Sequence, residues 1–250
     1  MVSEAAFKTA WQQTGHEADL LLRAFISGQQ CDCLSWVFVS AYQSALRRTF
    51  GNLPSDQWWS FAASEDRTGE LPGVTLNNDR LSGSKTWIAG ADHVDGVVVT
   101  CEGSCYLVSV NDPGVSIETD PPGSFLPDMS VGKLTLTDVS AVPVAMHGDF
   151  SLAEPFFLVA ASCGYLVREA GRLGLEGLAP AAESALADLS ALQDPEIDTE
   201  RLLGVYMKVA GLGKTCGAEA GKQDNGPGRD WKQNGRLLSM YRKGLQQRVE

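Results

Sequence analysis

An α+β chain is predicted, with helices at both ends and an antiparallel β barrel or sandwich between them. Three observations predict it. Apolar residues recur at helical spacing before about Gly51, short β-branched runs separated by turn residues fill the middle, and helical spacing returns after about His147. The expected division is a reduced N-terminal helical segment over 1–57, a β domain over 58–147 and a shortened C-terminal helical domain over 148–250.

In the first zone, Leu20, Leu21, Ala24 and Phe25, then Val37, Ala41 and Ala45, give two helices with a break near Ser27-Gly28. Asn52-Leu-Pro-Ser55 ends the zone in a turn ahead of Trp58 and Trp59. In the second zone the strands are Gly73–Asn77, Arg80–Ile88, Gly96–Cys101, Cys105–Val110, Val115–Thr119 and Lys133–Thr137. Asn77-Asn-Asp79, Glu102-Gly-Ser104, Asn111-Asp-Pro-Gly114 and Pro121-Pro-Gly123 separate them, which is the turn chemistry of antiparallel pairing. In the third zone Ser151-Leu-Ala-Glu154 has the pattern of a capping box before the apolar run Phe156–Val167. Helices are then expected over Pro180–Leu192, Thr199–Cys216 and Trp231–Arg248, with a polar, glycine-rich break at Gln223–Gly228.

The chain has 250 residues, 44% of them hydrophobic and 20% charged, enough for one large core or two smaller ones. No run approaches the roughly eighteen apolar residues that cross a bilayer. Met1 to Thr9 mixes Glu4 and Lys8 with small residues instead of leading into an apolar signal core. A cytoplasmic protein without a membrane partner is therefore expected. The formal net charge of −11 repels a phosphate backbone, so nucleic acid is not an expected partner. Arg229, Lys232, Arg236, Arg242, Lys243 and Arg248 could hold the phosphates of a smaller anion locally, although a solvated helix face gives the same pattern. Cys31-x-Cys33 and Cys101-x3-Cys105 lack zinc-ribbon spacing, and only His16, His93 and His147 could supplement them, so the thiols read as reduced and metal-free.

Two motifs are decoys. Gly211-Leu-Gly213-Lys214-Thr215 suggests a phosphate loop, but no strand feeds it and the position five before Gly213 is Lys208. Ser82-Gly-Ser-Lys85 has the spacing of a serine–lysine acylase nucleophile, yet it lies in an expected strand without companion motifs.

The informative stretch is Arg80-Leu-Ser-Gly83-Ser-Lys85-Thr-Trp87-Ile88-Ala89-Gly-Ala-Asp92, followed by the valine run Val97–Val99. It resembles the middle domain of acyl-CoA dehydrogenases. Ser64-Glu-Asp-Arg-Thr-Gly69, Pro113-Gly-Val115 and Gly132-Lys-Leu-Thr-Leu-Thr-Asp138-Val-Ser-Ala-Val-Pro143 match further landmarks of that family in order and spacing. The resemblance is closest over Trp58–Val144 and implies bound FAD, an acyl-CoA or acyl-carrier thioester as substrate, and a homo-oligomer, with a dimer favoured. A flavin needs an apolar face and a few donors at its edges. Trp87 would supply the face, Ser64 a hydroxyl, and the backbone amides near Ile88 and Ala89 the other edge.

Dehydrogenation next to a thioester also needs a carboxylate to take the α-proton. Most relatives place a glutamate shortly after an Arg-Asp pair, which Arg229-Asp230 resembles, but here no carboxylate follows until Glu250. A branch of the family carries it ten residues before a helical glycine, an interval that Glu154 and Gly164 reproduce. Glu154 is thus the expected base, with a helix cap as its plain structural alternative and Glu169 as second choice. The family's pyrophosphate-binding Arg-x-x-Phe-Gly has only Arg172-Leu-Gly174 as a counterpart. Two alternatives stay open: a degenerate homologue kept for oligomerisation or partner binding, and a flavin-dependent monooxygenase, which needs no α-proton base.

Overall fold

The computed structural model describes residues 2–14, 19–192, 197–223 and 226–250, so His16 and residues 224 and 225 of the expected glycine-rich break lie outside the described residues. Three helices precede the strands where two were expected: α1 (Glu4–Gln13), α2 (Leu20–Gln30) and α3 (Leu34–Phe50). Asp19 caps α2 by accepting from the amides of Leu21 and Leu22. The expected break at Ser27-Gly28 lies inside α2, and its reason is packing against α4 (Phe150–Leu173). A Cβ on Gly28 would stand 2.0 Å from the Ala161 carbonyl oxygen, and one on Gly164 would stand 2.0 Å from that of Phe25. Each glycine lets the other helix's backbone approach. The chain turns instead at Cys31-Asp-Cys33.

Eight strands follow among the described residues: β1 (Trp59–Ala62), β2 (Thr75–Asn77), β3 (Arg80–Ala89), β4 (Gly96–Cys101), β5 (Ser104–Ser109), β6 (Val115–Thr119), β7 (Val131–Ser140) and β8 (Val142–Val144). They form two four-stranded sheets, ordered β1-β4-β5-β8 and β2-β3-β7-β6. Leu81, Ile88, Val97, Val99, Leu134 and Leu136 fill the space between the sheets, as period-two alternation requires. One pair departs from the antiparallel expectation. β1 runs parallel to β4, because the intervening chain crosses to build β2 and β3 in the other sheet before returning. β1 and β8 escape sequence reading because they are only four and three residues long.

α4 is long and apolar enough to span a bilayer by composition alone, but most of it is buried in the protein, against α2, α3, α5 (Leu178–Ser190) and α6 (Thr199–Ala220). The expected helix over Trp231–Arg248 is broken into α7 (Gly226–Asn234), a 3-10 turn (Gly235–Ser239) and α8 (Arg242–Val249). The turn buries Leu237 and Leu238. A Cβ on Gly213 would lie 2.3 Å from Leu238, and one on Gly217 would lie 3.0 Å from the Trp231 ring. Gly213 of the phosphate-loop decoy is therefore a helix-packing position, whereas a Cβ on Gly211 would meet nothing within 4 Å.

Replacing Gly164 with valine forces α2 away from α4, and a loss of about 2–3 kcal/mol of unfolding free energy is expected. Nothing lies within 4 Å of a Cβ added at Gly171 on the same helix. Gly171→Ala should therefore add about 0.5–1 kcal/mol. Urea denaturation of the two variants beside the parent checks both signs.

Candidate functional site

The site is built around an irregularity in β3. Between the pairs Lys85–Leu134 and Ile88–Gly132, two residues of β3, Thr86 and Trp87, face one residue of β7, Lys133. Such a bulge re-aims a side chain. Trp87 takes φ 63° there, a conformation bulky residues rarely adopt. Its indole leaves the sheet, stands edge-on to Phe38 and Tyr42 of α3 at ring separations of 6.0 and 6.1 Å, and stays 42% exposed. It borders a cavity of about 550 Å³ beneath the segment Thr119–Val131.

Ser64 is brought to the same end of the sheet. Its carbonyl accepts from the Thr86 amide at 2.9 Å, and its side chain is exposed. Lys85, buried in β3, holds the neighbouring Glu65 at 2.9 Å and Thr100 Oγ1 at 3.1 Å, which removes it from any nucleophile role. Ile88 and Ala89 do not join the site in the way expected. Ile88 is sealed between the sheets. The Ala89 amide donates to the buried Ser60 Oγ at 3.1 Å, and Ser60 lies 3.4 Å from the Tyr42 hydroxyl, which also accepts from the Phe61 amide at 2.7 Å. The donor expected of Ala89 is thus satisfied within the protein. Ser60 and Tyr42, which no motif marked, do this.

Glu154 lies in the first turns of α4. The capping box does not form: the cap is Asp149, whose Oδ1 accepts from the Ser151 amide at 2.9 Å and the Ser151 hydroxyl at 2.7 Å. The helix starts earlier than the motif suggested because Phe150 packs on Tyr42 and Phe61, at 5.7 and 5.0 Å. Glu154 instead faces the Tyr241 side chain, and burial pushes its carboxyl up to about 7 against the lowering influence of that phenol. Both residues line a second cavity, of about 370 Å³, with Pro155, Leu245 and Arg248. Glu154 and Trp87 therefore face different cavities. The rings of Tyr42 and Phe150 bridge the interval, Tyr42 touching Trp87 and Phe150 touching Tyr42.

The other predicted participants are structural. Glu169 is buried and paired with Arg172 at 2.6 Å, and Arg172 also reaches Gln223, so neither serves as base or phosphate ligand. Gly174 ends α4 in a left-handed cap. Asp230 is buried and accepts from the Leu34 amide at 2.9 Å and from Asn234 at 2.7 Å, supplying the cap that Cys33 does not give α3. The basic residues of the C-terminal region have separate roles: Arg236 lies 4.1 Å from the Phe125 ring centre, and Arg248 binds Asp149 at 2.9 Å and the Ser151 hydroxyl. Among the described residues no group of three or more His, Cys, Asp or Glu side chains could hold a metal.

The residues present fit a flavin ring. An exposed indole beside an open cavity gives an apolar plane, but Ser64 does not line that cavity. The cavity wall carries Glu4, Asp92, Asp120 and Asp128 and, among its described lining residues, no lysine or arginine. It leaves the apolar face to Trp87 and offers no cation to a pyrophosphate, so the phosphates of FAD would have to lie outside this wall.

The sequence matches no protein-family model and no curated protein. Solved structures do match. PigA with FAD and proline superposes with a TM-score of 0.74 at 12% identity, covering 100% of this chain and 88% of that one. The prolyl acyl carrier protein oxidase AnaB gives 0.68 at 14%, covering 97% and 89%. Butyryl-CoA dehydrogenase from Megasphaera elsdenii gives 0.65 at 10%, covering 98% and 87%. The architecture is thus one shared with PigA, AnaB and butyryl-CoA dehydrogenase. The chain has the acyl-CoA dehydrogenase fold.

Removing the Asp230 carboxylate strands the buried Leu34 amide. Asp230→Ala should cost about 1–3 kcal/mol, read as a lowered urea midpoint with an unchanged slope.

Proposed function

We propose that the chain is a cytoplasmic, homodimeric flavoprotein of the acyl-CoA dehydrogenase type that acts on an acyl-CoA or acyl-carrier thioester. The observation that carries this reading is the bulge that holds Trp87 out of the sheet, beside an open cavity. A non-glycine residue kept at positive φ costs about 1–3 kcal/mol and persists where the surroundings impose it, often at functional sites. Six buried, unpaired cysteines suit a reducing compartment.

A bound FAD would supply the acceptor for a hydride from the acyl β-carbon. The chain's own part would be to hold the ring against Trp87 and to take the α-proton on the Glu154 carboxylate, which requires the Tyr42 and Phe150 rings between the two cavities to move aside. Pro155 and Leu245 give the Glu154 cavity an apolar wall. Only the ionised carboxylate accepts a proton, so the reaction is lost as pH falls through about 7.

A second reading, a homologue that has lost the cofactor and kept the fold for partner binding, is favoured by a separate observation. Ser60 already occupies the Ala89 amide, and Tyr42 and Phe150 stand between Trp87 and Glu154.

The visible spectrum of the purified protein separates the two. Flavin absorbance, present as isolated or after reconstitution with FAD, is expected, together with bleaching by acyl thioesters whose rate climbs with pH to a plateau above about 7. Glu154→Gln should slow bleaching by about 10²-fold or more while the flavin stays bound. A colourless protein that takes up no FAD supports the second reading, and unchanged bleaching in the variant removes Glu154 from the mechanism.

A further inference from the structure

α8 stands out in the sequence only for its basic residues Arg242, Lys243 and Arg248, yet with the preceding Tyr241 it forms much of the Glu154 cavity. Tyr241, Gly244, Leu245, Gln247 and Arg248 face Ser151, Glu154 and Pro155 across it. Two contacts fix this C-terminal segment. The Tyr241 amide donates to the Tyr206 hydroxyl of α6 at 3.1 Å. Arg248 at the far end binds Asp149 at 2.9 Å and the Ser151 hydroxyl, both at the start of α4. Residue 241 is therefore anchored from two sides before its side chain meets Glu154.

We propose that Tyr241 is the positioning residue of Glu154, its hydroxyl donating to the carboxylate and holding it toward the 370 Å³ cavity. This deepens the proposed function and rests on Glu154 being its base. A lone carboxylate at a partly buried helix start turns toward water or its own helix amides. Here Asp149 already takes the Ser151 amide, and the Tyr241 phenol lines the same cavity as the Glu154 carboxyl.

The groups facing Glu154 explain why a phenol does this and a cation does not. Tyr42 approaches from α3, Tyr241 from the segment before α8, and Tyr206 stands behind Tyr241 on α6. Arg248, the nearby cation on α8, is neutralised by Asp149. A full positive charge at hydrogen-bonding distance would hold the carboxyl low and make it a weak base, whereas a neutral donor orients it and lowers it only modestly. Burial then keeps it near neutrality, where a proton acceptor works best.

The test reads the carboxyl directly, without cofactor or turnover. Glutamate labelled with carbon-13 at the side-chain carboxyl, assigned through Glu154→Gln, gives the Glu154 midpoint in the wild-type chain and in Tyr241→Phe. A wild-type midpoint of about 7 is expected. Loss of one donor to the ionised form should raise it by roughly half to one pH unit in the variant. A midpoint unmoved or lowered in a folded Tyr241→Phe protein overturns the proposal. A second labelling keeps the test open if that variant does not fold. The Tyr241 Cζ resonance of the wild type should shift with the Glu154 midpoint and lose that inflection in Glu154→Gln; a Tyr241 resonance indifferent to pH across that midpoint overturns it as well. Absence of FAD binding would defeat the proposed function alone and leave both carbon-13 outcomes readable.

Discussion

The arrangement depends on one local constraint, the extra residue in β3 opposite Lys133. Without the bulge, β3 would keep strict alternation and its indole would lie flat in the row that packs on α3. With it, Ile88 still plugs the space between the sheets and Ala89 still faces the helices, while Trp87 just before them swings to the surface. The cost of holding a tryptophan at positive φ is spread over its neighbours. Phe38 and Tyr42 grip the ring edges, and the Ser64 carbonyl fixes the Thr86 amide on the bulged strand.

α3 turns that local geometry into a rigid platform. Gln43 behaves as an extra strand residue: its side chain donates to the Trp59 carbonyl at 2.8 Å and accepts from the Trp59 amide at 3.1 Å, satisfying both groups in the interior. Tyr42 on the same helix ties Ser60 and Phe61, and Asp230 caps the helix from the far end of the chain. The helical layer and the sandwich are thus joined through buried hydrogen bonds, which demand a single register where apolar packing would tolerate several. The crossing of α2 and α4 at Gly28 and Gly164 completes the layer by bringing two backbones into contact.

Most of this organisation was legible in the sequence, and the exceptions share a cause. Long strands such as Arg80–Ala89 and long helices such as Phe150–Leu173 announce themselves by period and composition. Features that depend on a distant partner do not. Gly28 resembled a helix break because its neighbour, the Ala161 carbonyl, lies far away in the chain. Ser151 resembled a cap because the packing of Phe150 on Tyr42 and Phe61, which starts the helix just after Asp149, involves residues far off in the chain. Trp87 and Ser64 were named through landmarks whose spacing survives along the strand, and the Ser64 carbonyl accepts from the Thr86 amide beside Trp87. Ile88 and Ala89 were named with them, but a motif records the order of residues and cannot show that Ser60 would occupy the amide. Tyr241 gave no signal, since its role exists only where α8 folds back on α4.

The central claim is that the indole at position 87 is a stacking surface for a tricyclic ring. Fluorine-19 spectra of protein labelled with 5-fluorotryptophan, with the Trp87 line assigned by its loss in Trp87→Phe, test this most directly. Saturating FAD should displace that line while the fluorines of Trp11, Trp36 and Trp58, deep in the helical core, stay in place. A Trp87 line that remains unmoved at saturating FAD would contradict the account.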